Sequence, residues 1–88
     1  MNVSVELSLY PLQDNYKPIV VAYLDDLAAH ADGVEIRTSN MSTRLFGNYT
    51  AVTTLLNQAM LRSMQEFGKV VFVAKYVQGD ARDLKNYD

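Results

Sequence analysis

The segment VELSLYPLQDNY, residues 5–16, carries Glu6, Ser8 and Tyr10 at two-residue spacing. In an extended strand that spacing puts all three on one face, so a carboxylate, a hydroxyl and a phenol can share a surface. A second polar set follows later in the chain, Ser42 and Thr43 beside Arg44. Groups of these types can hydrogen-bond a small polar ligand, and the carboxylate can offset a cation. The parts of a catalytic apparatus are missing. There is no cysteine, which removes thiolate nucleophiles, thiolate metal sites and disulfides together. The single histidine, His30, lies near the end of a helical segment beside Asp26 and Asp32, where it suits the helix dipole better than a base or metal-ligand role. Asp25-Asp26 reads as a solvated helix face. With no Gly-rich phosphate loop, no HExxH and no acid pair near a nucleophile, the chain is expected not to be an enzyme.

The elements that must position these residues follow from periodicity. The odd residues Val3, Val5, Leu7 and Leu9 alternate with Ser4, Glu6, Ser8 and Tyr10, which predicts a first strand. Pro11, with no N–H to donate, stops the ladder. Asp14 or Asn15 can cap a helix that carries Pro18 in its first turn and Tyr16, Val20, Tyr23 or Leu24, Leu27 and Ala31 on its apolar side. Asp32-Gly33 ends it. Val34 to Arg37 is predicted as a second strand, Ser39-Asn40 as a turn, and Met41 to Phe46 as a third strand stopping at Gly47. A second helix starts at Asn48 or Thr50, with an apolar stripe of Val52, Leu55, Leu56, Ala59, Met60, Met64 and Phe67, and Gly68 caps its end. Lys69 to Val77 is the last strand. The order strand-helix-strand-strand-helix-strand, with right-handed crossovers, predicts an α+β ferredoxin-like βαββαβ fold: one four-stranded antiparallel sheet with two helices on one face. Residues 1–77 form that single domain, and residues 78–88 a polar C-terminal tail or oligomer arm.

Composition narrows the partners. The net charge of −2 gives no basic footprint for nucleic acid. The longest apolar run is too short for a bilayer, and the start has no basic region leading into an apolar run, so a soluble cytoplasmic protein is expected. The apolar fraction of 49% is generous for a chain of 88 residues, and an oligomer interface would use the excess. Period-2 geometry sends the odd row of the first strand, and Thr43 and Leu45, towards the helices. It leaves Ser4, Glu6, Ser8, Tyr10, Ser42, Arg44, Phe46, Val71 and Val73 on the open face. That face would then be a bare apolar patch, and the last strand is apolar at both parities, so a homo-oligomer, dimer or tetramer, is expected to cover it. Glu6 and Arg44 fall on neighbouring strands and are expected either to pair across them or to leave the carboxylate for a ligand.

Ser8-Leu9-Tyr10-Pro11-Leu12, a short acidic turn and helix, and then Thr43-Arg44-Leu45-Phe46-Gly47 opening the second helix resemble the thiamine/hydroxymethylpyrimidine-binding family of the YkoF type and its single-domain thiamine-binding relatives. That family shows a strand ending in (S/A)-(L/I)-Y-P-(M/L) and a third strand reading (S/T)-x-(L/I)-x-G before a helix. The resemblance spans the chain to about Val77 and shares the predicted topology. It implies a non-catalytic protein that binds thiamine or its pyrimidine within an oligomer of ferredoxin-like domains, with no other cofactor. Tyr10, Ser42 and Thr43 correspond to its motif positions, Ser8 belongs to the same strand motif, and Glu6 matches an acid frequent in the single-domain members. Phe46 departs from it, standing where the family often has a charge.

Three readings compete. An enzyme of the dimeric ferredoxin-like barrel type would need a titratable group in a closed cavity, and only His30 offers itself. An RNA-recognition domain would need stacking aromatics on both central strands and a basic surface. A structural or regulatory subunit that oligomerises through its sheet without a ligand needs neither, and is the nearer alternative.

Overall fold

The computed structural model describes residues 1–39 and 42–82. Six elements follow in order: β1 (Asn2–Pro11), α1 (Tyr16–Ala29), β2 (Glu35–Thr38), β3 (Thr43–Asn48), α2 (Tyr49–Phe67) and β4 (Val70–Gln78). All three strand pairings are antiparallel, and the sheet order is β2-β3-β1-β4. This is the ferredoxin-like α+β arrangement that the sequence predicts. Met41, the predicted start of the third strand, and Asn40 of the predicted turn lie outside the described residues, as does the tail after Arg82.

Alternation builds the core. Val3, Val5 and Leu7 of β1 and Leu45 of β3 are buried with Tyr23 and Leu27 of α1 and Val52, Leu55, Leu56 and Ala59 of α2. The helix stripes differ slightly from the predicted ones. On α1 the buried series is Ile19, Tyr23 and Leu27, an i, i+4, i+8 row. Tyr16 remains exposed at the helix start. On α2 Met64 is exposed and Ser63 takes the buried place. Asp26, expected on a solvated face, instead clamps the two helices: Arg62 donates from Nε to Oδ2 at 2.9 Å and from Nη2 to Oδ1 at 2.9 Å. That fork holds the Asp26 carboxyl below its ordinary range, Arg62 hydrogen bonding being the main cause.

The strand predicted to stop at Gly47 runs on to Asn48, whose side chain accepts from the Thr50 amide as the cap of α2. Gly47 is needed there for close approach. A Cβ at that position would stand 3.1 Å from the Gly33 carbonyl oxygen and 3.4 Å from Val52 Cγ2. Gly68 ends α2 at φ +83°, where a side chain would be strained.

The open face is not uniformly bare. Phe46, predicted to be exposed there, is only 4% accessible. The Arg37 and Arg82 guanidiniums lie 5.4 and 5.8 Å from its ring centroid. Gly79 to Arg82 turns back across the sheet, so that the Gly79 amide reaches the Asn2 carbonyl and the Ala81 amide reaches Ser4 Oγ. Ser4 Oγ in turn donates to the Gly79 carbonyl at 2.9 Å. Arg82 is anchored by Glu35 at 2.9 Å and by Asp80. Towards the other end Tyr10, Val71 and Val73 stay exposed, as does Val77. The expectation that both faces of β4 are covered is therefore not met within one chain: β4 is an edge strand, and its open-face valines meet solvent.

Candidate functional site

Strand lengths create the site. β1 pairs with β4 as far as Pro11↔Val70, but its pairing with β3 begins only at Leu7↔Thr43. Beyond Leu7, the edge of β1 that faces β3 has no partner strand among the described residues. The notch is flanked by Ser39 and Ser42 and is overhung by the first turns of α1. It opens as a cleft of about 590 Å³. Its floor is apolar, from Leu7, Leu9 and Val20, and Tyr10, Tyr16 and Tyr23 supply phenol rings. Thr38, Ser39, Ser42 and Thr43 bring four hydroxyls from the β2–β3 side.

Thr43 points to the helix side as predicted and is only 6% accessible. Its hydroxyl has no hydrogen-bond partner among the described residues. Burial pushes the Tyr23 hydroxyl well above the usual phenol range, with the nearby Asp26 charge adding to the effect. Tyr23 therefore remains a neutral wall, its ring tilted against Phe72 at 5.1 Å between centroids.

Of the five residues singled out from sequence, the structure brings Tyr10, Ser42 and Thr43 to this cleft and leaves Glu6 and Ser8 outside its lining. Parity had put Tyr10 and Ser42 on the opposite sheet face from Thr43. They meet because the cleft sits where the β1–β3 pairing ends, so that both faces reach the same rim. Glu6 touches the site at one remove, through Ser42 Oγ, which donates to Glu6 Oε2 at 3.3 Å. Its register partners are Arg44 and Lys75, and the ion pair forms with Lys75 at 3.7 Å, not with Arg44. Among the described residues Arg44 makes no ion pair. It stands opposite Arg37 on β2, a like-charge neighbour that draws no benefit from the contact. Ser8 stands opposite Val73 on the open face.

Sequence reasoning missed Lys17, Tyr16, Val20 and Thr38 as lining residues. The available signal was the position of the Tyr16-Lys17 pair at the start of a helix directly after the Tyr10-Pro11 strand end.

A second hollow, about 240 Å³, lies between α1 and α2, where Tyr23, Asp26, His30, Arg62 and Ser63 contribute to its lining. The Tyr23 and Ser63 hydroxyl oxygens are buried without hydrogen-bond partners among the described residues. His30 Nδ1 is 2.8 Å from Asp26 Oδ1, so the histidine leans on the interhelical clamp. Among the described residues no group of three or more His, Cys, Asp or Glu side chains is arranged to hold a metal ion. No helix there is long and apolar enough to cross a membrane.

The class these features define is a ferredoxin-like α+β domain with a cleft at one end of its sheet. No protein-family model and no curated protein matches the chain. Solved structures do. A protein from Streptococcus pneumoniae superposes with a TM-score of 0.74 at 22% identity, over 96% of this chain and 93% of that one. A "putative thiamine biosynthesis/salvage protein" from Thermotoga maritima gives a TM-score of 0.77 at 10% identity, over 90% and 85%. A domain of unknown function, DUF77, from Bacillus cereus gives 0.71 at 18% identity, over 92% and 79%. At these identities the likeness establishes the shared fold.

Proposed function

We propose that the chain is a non-catalytic binding protein that takes thiamine, or its hydroxymethylpyrimidine portion, into the cleft between α1 and the end of the sheet, and that it works as a homo-oligomer. The observation that carries this reading is the cleft itself: an apolar floor, three tyrosines and four hydroxyls in about 590 Å³. That volume is in the range of small-molecule sites, and such sites join an apolar surface to a few placed polar groups. An aminopyrimidine needs paired donors and acceptors, which hydroxyls supply because each can play either part. A thiazolium cation is attracted to tyrosine faces. The thiamine-related name of the Thermotoga structure, on the same fold, points the same way. Glu6 acts here as a positioning residue that orients Ser42.

Isothermal titration with thiamine and with hydroxymethylpyrimidine tests the reading. Binding of either, with the ligand recovered unchanged by mass spectrometry, supports it. Lack of binding by both leaves the alternative ahead, a structural subunit whose exposed Tyr10, Val71 and Val73 serve assembly alone. Glu6→Gln keeps the shape and weakens the acceptor for Ser42. It is expected to lower affinity only about two- to threefold, since the glutamine oxygen still accepts a neutral hydrogen bond of roughly 0.5–1.5 kcal/mol and Glu6 acts indirectly.

A further inference from the structure

The hollow between α1 and α2 is distinct from the cleft, and among the described residues only Tyr23 lines both. Two side chains of the hollow lack the partners that burial demands. Tyr23 and Ser63 belong to its lining and are only 2% and 4% accessible, and neither hydroxyl oxygen is hydrogen-bonded among the described residues. Buried hydroxyls are nearly always satisfied, so two orphans lining one hollow call for an occupant that completes them. The charges around them set its sign. Asp26 is already matched by the Arg62 fork and by His30 Nδ1 at 2.8 Å. Glu66, one turn beyond Arg62 on α2, lines the same hollow, is exposed and forms no ion pair among the described residues. With His30 counted as neutral, the lining carries two carboxylates against one guanidinium. The Tyr23 hydroxyl feels the same balance. Burial raises its pKa most, and the Asp26 carboxylate raises it further than the Arg62 guanidinium lowers it.

We infer that this hollow is a second binding site, one for a small primary ammonium compound with a short apolar chain. An ammonium group has three donors and no acceptor. The Tyr23 oxygen, the Ser63 oxygen and the Glu66 carboxylate are three acceptors that no other described group uses. Ala22 and the Phe67 ring give the lining an apolar part for the chain. At about 240 Å³ the hollow is smaller than the roughly 300–1,000 Å³ of drug-sized sites, which holds the occupant to a few heavy atoms. A carboxylate of the same size would meet Glu66 and Asp26 as like charges. A neutral alcohol would reach the hydroxyls but leave Glu66 unmatched. Arg62, the one fixed cation of the lining, is offset by its fork to Asp26. This site stands independently of thiamine binding in the cleft.

Propylammonium, 1-propanol and propionate share a short chain and differ in the head group, so titrating each into the isotope-labelled full chain reads the preference directly by amide NMR shifts. Propylammonium at millimolar concentration should give saturable shifts centred on Tyr23 and Asp26 of α1 and on Ser63 and Glu66 of α2. Propanol should bind at least about threefold more weakly, because it forgoes the charge-assisted bonds, and propionate should not bind. Ser63→Ala and Tyr23→Phe should each weaken propylammonium binding roughly 2- to 13-fold, the range for one net hydrogen bond. Glu66→Gln should weaken it about two- to fivefold, a modest factor because that carboxylate is exposed, and added salt should narrow the difference from wild type. The NMR spectrum of each variant shows whether it is folded, and the head-group series on the wild type needs no variant at all. Tighter binding of propionate, saturable shifts centred elsewhere, affinity unchanged in both Ser63→Ala and Tyr23→Phe, or no saturable shift with any of the three compounds would each overturn the inference.

Discussion

Thr43→Val separates a ligand-binding hydroxyl from a structural one because the two roles move stability in opposite directions. Valine keeps the branched shape of threonine and replaces the hydroxyl by a methyl. In the free protein Thr43 is buried, with 6% of the residue accessible, and its hydroxyl makes no hydrogen bond among the described residues. An unsatisfied buried polar group costs about 1–3 kcal/mol. Thr43 borders an open cleft, so water relieves part of that cost and the lower end applies. The variant should be as stable as the wild type or more stable by up to about 1 kcal/mol, which is about 4–8 °C in Tm for a domain of this size. Affinity should fall. Loss of one net hydrogen bond, about 0.5–1.5 kcal/mol, corresponds to binding roughly 2- to 13-fold weaker. Thermal unfolding without ligand and titration calorimetry with thiamine measure the two effects separately. A variant that loses more than about 1 kcal/mol of stability while binding thiamine normally would show that the hydroxyl serves the fold, and the argument for its place in the site would fail.

Gly47→Ala should destabilise by about 1–2 kcal/mol in urea unfolding, because its Cβ would meet the Gly33 carbonyl at 3.1 Å and backbone must shift to admit it; an unchanged midpoint would refute the close-approach account. Asp26 has a folded-state pKa held below its ordinary value, chiefly by hydrogen bonding from Arg62, so its stabilising contribution is present above the usual carboxylate range near pH 4 and is lost as pH falls through the lowered folded value. Asp26→Asn should therefore be less stable than wild type at pH 7, with the gap in Tm closing on acidification towards pH 3; a constant gap would rule the ion pair out as its source. Val73→Asp puts a charge on an exposed open-face position. If the proposed oligomer uses that face, sedimentation velocity should show a smaller species with an unchanged circular dichroism spectrum, whereas an unaltered sedimentation coefficient would place the contact elsewhere.

The topology was legible because its signals are local and repeated. The strict alternation of β1 fixed which side chains face the helices, and burial of Val3, Val5 and Leu7 follows that row directly. Caps and glycines bounded α2 in the same way. The reading failed where a partner distant in sequence decided the outcome. Phe46 was placed correctly on the open face, but its burial depends on Arg82, 36 residues further on by the numbering, folding back over the ring. Asp26 looked like a solvated acid because its partner Arg62 is on the other helix and 36 residues away in sequence. Glu6 had two strand neighbours carrying cations, Arg44 and Lys75, and the sequence offered no means of choosing between them.

The cleft was the hardest feature to foresee, and the reason is geometric. Residue types pointed to Tyr10, Ser42 and Thr43, yet parity assigned them to opposite faces of the sheet, which argues against a common site. Parity says which face a side chain takes, not whether the sheet separates the two faces at that point. Alternation holds along Ser8 to Pro11, which stays paired with β4, but β1 outruns its pairing with β3 by those four residues, so side chains of opposite faces border the same notch. A strand-length mismatch of this kind is a property of the register, and the register depends on where the β2–β3 connection turns back. The same mismatch brings Lys17 into the lining, because α1 begins just after β1 ends and its first turn hangs over the vacated edge. The site is thus set by two local accidents of length, a long first strand and a short third one.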